Sequence, residues 1–374
     1  MKKALVVFLI LAVAGGLFAT PTVSASLSTG IGIGFDDTDA KAQVDFIRNR
    51  GESRWRVDLG LSTSGEKEGY GTYGASGTVR FDLSGRFNTD GFTQTLNDFR
   101  AFWAPNSMIR IEAGQGGSGG FGSMGGWDAS NDAFGGNGVK IRINPIAGLS
   151  IGASLLSGGV KNVEDMAYAF GVKYTVTDLL AIVANAKFDP SQAESAEKLN
   201  FAAGVDFGIL SALKTIGFTK LAVDARTANG FGGPKSNLGI GEAINFATGA
   251  LSLSFGARQL LWMGDAATDP KYIPMRFQVG ASYKATDIAT VGAEVRYLMG
   301  NTVAGNYRNA SEMNDVDFKG EKLVGLGISP YVTFNVGPTI QLGYNLQKDM
   351  SDGAGSGGAK TMTHLIYATV NVSF

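Results

Sequence analysis

After Ser26 apolar residues recur at every second position through most of the chain, and the alternate positions repeatedly carry charge. In the segment SRWRVDLGLS, Trp55, Val57, Leu59 and Leu61 share one phase while Arg54, Arg56 and Asp58 share the other. A period of two marks a β-strand with two unlike faces. The arrangement recurs: Val79, Phe81 and Leu83 oppose Arg80 and Asp82; Ile109, Ile111 and Ala113 oppose Arg110 and Glu112; Val139, Ile141 and Ile143 oppose Lys140 and Arg142. One such strand also fits a soluble sheet with a wet face. Many of them, each near the ~9–11 residues a tilted strand needs to cross a bilayer, fit a barrel with hydrocarbon outside and charge inside. After the leader no apolar run reaches the length of a spanning helix, so a membrane reading requires closed strands.

The connections alternate as well. Short turns at Asn144-Pro145, Thr177-Asp178, 285–287 and Gly337-Pro338 alternate with long polar or Gly-rich links at 189–198, 227–237, 263–274, 300–320 and 349–360. Short turns on one rim and long loops on the other are the habit of transmembrane barrels. Bacterial barrels hold an even number of strands, and the strand-like segments exceed an even count by one. The surplus falls before about Phe87, where either 27–35 or 40–48 is not a full strand. The expected fold is all-β, a transmembrane antiparallel up-and-down β-barrel of about eighteen strands over residues 26–374, with sixteen as the alternative.

Residues 1–25 read as a signal peptide: Lys2 and Lys3, an apolar run from Ala4 to Phe18, then Val23-x-Ala25 before a cut at Ser26. Removing it takes away two lysines and no acid, moving the net charge from −1 to −3. That balance lacks the basic excess of a nucleic-acid binder. With no cysteine in the chain, a lipoprotein anchor, a disulfide framework and a thiolate metal site are excluded.

The chain ends TMTHLIYATVNVSF, with Ile366, Ala368, Val370 and Val372 in one phase and Phe374 last. An edge strand at a terminus is a liability unless it pairs with the first strand and closes the sheet. This stretch resembles the C-terminal strand of Gram-negative outer-membrane β-barrel proteins. The resemblance implies that Phe374, Val372, Val370, Ala368 and Ile366 signal to the barrel-assembly machinery, and that the chain sits in outer-membrane lipid. With the whole layout it resembles the porins, which implies a passive channel for small hydrophilic solutes or ions, a possible homotrimer, no cofactor and no catalysis.

The segment from Gly114 to Gly138 departs most from strand pattern. Its Gly114-x-Gly116-x-x-Gly119 has the letters of a dinucleotide fingerprint, but that motif needs a helix next, and GFGSMGGW supplies none. The porin resemblance implies instead a loop folded into the lumen, with carboxylates facing a basic wall. Here Asp128 and Asp132 lie in the loop, and Arg54, Arg56, Arg80, Arg100, Arg110, Lys140 and Arg142 occupy lumen-phase positions. Opposed charges across a water-filled constriction select solutes by charge and size. A mobile extracellular loop above ordinary lumen charges remains the other reading of the same residues. Later strands look neutral inside, with Ser252, Ser254, Gly256, Gln341 and Asn345.

His364, the only histidine, falls in the lipid-facing phase with Ile366, and no serine is spaced to serve it as a nucleophile. The acids at Asp36, Asp37 and Asp39 and at Asp315 and Asp317 read as solvated turns, short of a calcium ligand set, so no metal is expected. Three alternatives to a passive pore stay open: a substrate-specific channel, a surface adhesin acting through its long loops, and a barrel enzyme using His364.

Overall fold

A computed structural model describes residues 21–36, 42–46, 54–84, 91–116, 121, 134, 136–157, 162–191, 198–228, 237–262, 275–300, 323–349 and 362–374. Its strands are β1 (Thr22–Asp36), β2 (Gln43–Phe46), β3 (Arg54–Lys67), β4 (Gly71–Ser84), β5 (Gly91–Ala104), β6 (Ile109–Gly116), β7 (Gly136–Ile146), β8 (Leu149–Leu156), β9 (Ala167–Val176) and β10 (Leu180–Phe188). They continue as β11 (Leu199–Asp206), β12 (Phe218–Ala228), β13 (Asn237–Thr248), β14 (Leu251–Trp262), β15 (Met275–Lys284), β16 (Ala289–Gly300), β17 (Leu323–Asn335), β18 (Thr339–Asp349) and β19 (Met362–Ser373). Every strand pairs antiparallel with its neighbour, and β19 returns to β1 over Ser26↔Ser373 to Asp36↔Thr363. At the seam Phe374 N donates to Ala25 O at 2.8 Å and Ala25 N to Phe374 O at 3.2 Å. The sheet therefore has no free edge.

The parity problem resolves at β2. Both β2 and β3 pair with β1, β2 at Ile31–Gly34 and β3 at Thr22–Ser28, so the two lie end to end in one barrel position. The surplus segment is 40–48, while 27–35 belongs to a full strand. The result is a closed barrel of eighteen strand positions.

Turn chemistry explains the tight rim. Gly69 (φ 77°) and Gly71 (φ 74°) link β3 to β4, Asp178 (φ 57°) stands between β9 and β10, and Gly337 (φ 98°) follows β17. Asn106 Oδ1 accepts from the amides of Met108 and Ile109 between β5 and β6. The turn expected at Asn144-Pro145 lies later, at residues 147–148. A register shift between Ile143 and Ile146 absorbs the proline inside β7, because proline has no N–H for the ladder. On the same rim, the link from β11 to β12 carries a short helix, α1 (Ser211–Thr215).

The two faces differ as the alternation predicts. Ile31, Ile33, Val139, Ile141, Ile151, Phe170, Val172, Ile182, Val279 and Ile366 stand exposed on the outside. Buried polar side chains, among them Asp82, Lys140, Asn185, Asp206, Asp224 and Ser329, point inward. A greasy exterior around a polar lumen is the arrangement a bilayer requires of strands.

Candidate functional site: the lumen wall and its inward loop

Inside the barrel, strands β8 to β10 present Gly152, Gly171, Ala169, Ala181 and Val183. These small residues leave a shallow seat on the inner wall. Two residues of the β6–β7 link occupy it: Phe121 and Phe134 are each 2% exposed, their ring centroids 4.7 Å apart, and they pack with Ala169, Ala181, Val183 and Ala222. Asn185 Nδ2 donates to Phe121 O at 2.7 Å in a buried setting, satisfying a carbonyl that the seat takes from water. Glycine is required here by close approach: a Cβ on Gly171 would meet Phe134 at 2.7 Å and Phe121 at 2.9 Å, and one on Gly152 would strike both rings. The link thus enters the lumen at these two residues. Asp128 and Asp132, as well as Gly119, lie outside the described residues.

The basic positions are brought together on β3 to β7. The backbone register puts Arg54 in the same phase, opposite Ser84. Arg56 grips Asp82 with two bonds, Nε–Oδ1 2.7 Å and Nη2–Oδ2 3.2 Å, and Arg80 grips Asp58 likewise at 2.8 and 3.1 Å. The two pairs are adjacent rungs of one ladder with opposite polarity. Arg100 Nε donates to Ser76 Oγ at 3.3 Å. Arg110 bonds Glu112 and lies 3.8 Å over the Phe102 ring, while Lys140 faces Glu112 and Arg142 faces Arg110 across the β6–β7 pair. Basic residues outnumber acids on this wall, and the two signs interleave along it.

A second charged group lies on the wall that the sequence presents as neutral. Arg258 (1% exposed) and Arg276 (2%) are direct cross-strand partners on β14 and β15, and Asp224 is also buried. Arg296 Nη2 bonds Glu294 Oε2 at 2.9 Å, and Gln278 Nε2 donates to Glu294 Oε1 at 2.8 Å. The signal existed: Arg258 continues the phase of Ser252, Ser254 and Gly256.

His364 points outward. It stacks on Phe35 with centroids 4.7 Å apart, and its Nδ1 lies 2.5 Å from the Tyr344 hydroxyl. Neither partner is a serine, cysteine or threonine. Ile366, Ala368, Val370 and Val372 pair on the outer face with Ile33, Ile31, Thr29 and Leu27, and Phe374 is exposed at the rim. Asp36 ends β1, whereas Asp37, Asp39, Asp315 and Asp317 lie outside the described residues. Among the described residues no group of three metal-ligating side chains occurs.

No family model matches the chain, and no curated protein matches it. Solved structures do. Pseudomonas aeruginosa OpdL is 10% identical with a TM-score of 0.59, covering 95% of this chain and 99% of its own. Pseudomonas aeruginosa OpdQ is 11% identical (TM-score 0.58; 96% and 99% covered), and the outer membrane protein OprD of the same organism 10% identical (0.56; 95% and 94%). At such identity the likeness is one of fold, over essentially the whole length.

Proposed function

We propose that the chain is an outer-membrane porin, a water-filled channel through which small hydrophilic solutes or ions diffuse passively. The observation that carries this reading is a polar, charged lumen into which one loop is anchored by Phe121 and Phe134. Charge and small residues line the path, and a narrowed path selects by size and sign. The wall at Arg56, Arg80, Arg100, Arg110, Lys140 and Arg142 supplies a field, with Asp128 and Asp132 as the loop's contribution. Purified protein in a planar bilayer is expected to give discrete open steps and, under a salt gradient, a reversal potential favouring anions. Folded protein without conductance refutes the pore.

A substrate-specific channel is the second reading, favoured by the buried Arg258 and Arg276 side by side on the lumen wall. It predicts current block by an anionic solute that saturates with concentration.

Export begins with the leader. A cut before Ser26 leaves every pair of the β1–β19 register intact, because that register starts at Ser26↔Ser373. It removes only the Ala25–Phe374 bonds and the rungs that residues 22–25 make with β3. Intact-mass measurement of protein from outer membranes is expected to place the N-terminus at Ser26; a mass retaining residues 1–25 contradicts the leader. Phe374 and the four alternate residues before it are the proposed mark for the assembly machinery.

A further inference from the structure

Among the described residues the outward phase of the barrel is mostly apolar. Among the described residues Glu242 is the one acid in that phase: on β13 it pairs with Val223 of β12 and Ala257 of β14, and Val223 is 45% exposed. Glu242 is the sixth of the twelve residues of β13, at mid-height between the rims. The other described charges of this phase, Lys67 and Lys348, lie at or next to strand ends, where they reach the interface. A carboxylate at the centre of a bilayer is costly, and a neutral carboxyl there still leaves its donor and acceptors without partners.

The surroundings of Glu242 differ from the rest of the belt. Gln259 stands in the same outward phase two residues beyond Ala257, and Ala225 occupies the matching place on β12. Donor, acceptor and small side chains thus share one patch. Farther round the barrel, β7 to β10 show Val139, Ile151, Phe170, Val172 and Ile182, the surface lipid chains favour. Small residues let membrane segments approach closely, and polar side chains then bond across the contact.

We propose that the outer face of β12 to β14 around Glu242 is a self-association surface, on which a second copy of this chain covers the carboxyl. A two-fold axis along the membrane normal is self-complementary: Gln259 of each copy offers its amide to Glu242 of the other, so one patch supplies both halves. A partner of different sequence would have to bring its own donor, and lipid tails bring none. The inference rests on the membrane reading above.

The chain has no cysteine, so single-cysteine variants report contacts without background. Val223→Cys, beside Glu242, is compared in native membranes with Val172→Cys on β9, an exposed apolar site outside the patch. The expected result is an oxidative cross-link at twice the protomer mass for Val223→Cys only, lost when Glu242→Leu is added and kept with Glu242→Gln. Equal cross-linking of the two cysteines, indifference to Glu242→Leu, or a product with a different protein overturns the proposal. Heat-dependent gel mobility of the same samples reports barrel folding separately. A folded, inserted barrel that fails the cross-link test therefore refutes the surface and leaves the channel reading standing.

Discussion

Replacing Phe121 and Phe134 together by alanine is expected to raise single-channel conductance and the size limit for neutral solutes, with little change in the barrel's thermal stability. Both rings are almost wholly buried against Gly152, Gly171, Ala169, Ala181 and Val183. Truncating a phenylalanine in such a setting costs about 3–5 kcal/mol. Applied to docking of the link on the wall, even one ring lost shifts the docked-to-free ratio by roughly a hundredfold or more. The two losses will not add simply, because the rings touch. The strand ladder does not depend on the link, since β6 and β7 pair directly over Ile109↔Ile143 to Gly116↔Gly136. Gly171→Leu approaches the same end from the other side, by filling the seat. If conductance and solute exclusion stay unchanged in folded double-alanine protein, the two phenyl groups do not hold the constriction.

The barrel was legible because its signal is local and repeated. Period-two alternation in a segment such as Arg54 to Leu61 fixes both the strand and its faces, and Ile366 to Phe374 announces where the sheet closes. Even the surplus segment could be confined to the N-terminal end, but only the shared pairing of β2 and β3 with β1 shows which stretch it is. The lumen was legible in part. Sequence phase places Arg56 and Arg80 inward, and it also places Asp58 and Asp82 there, yet pairing depends on register, which no single strand encodes. The seat for Phe121 and Phe134 is assembled from glycines and alanines on separate strands, so nothing near either phenylalanine in sequence predicts it. Arg258 and Arg276 were hidden differently: Arg258 is the one charge in β14, Arg276 shares β15 only with Lys284 at its far end, and only the β14–β15 register makes the two arginines a pair.

Asp58→Asn and Asp82→Asn, singly and together, are expected to move the reversal potential toward anions, whereas Arg56→Gln and Arg80→Gln move it toward cations. As built, each guanidinium is held by a carboxylate, and the two pairs alternate in sign from rung to rung, so their fields largely cancel beyond a few ångströms. Removing one partner uncovers a whole charge in a space screened only by the water and ions of the lumen. The two positions should differ in stability. Arg56 and Asp82 are each 10% exposed, near the regime where breaking a buried pair costs about 3–5 kcal/mol. Arg80 and Asp58, at 28% and 22%, are partly solvated and should cost nearer the ~1 kcal/mol of surface pairs. Asp82→Asn is therefore expected to lower the unfolding midpoint more than Asp58→Asn while shifting selectivity in the same direction. Restoring neutrality in Asp82→Asn/Arg56→Gln should return selectivity toward wild type. A reversal potential that follows neither sign, in barrels shown to be folded, means that the current does not pass these rungs, and the Arg258–Arg276 wall becomes the place where ions are chosen.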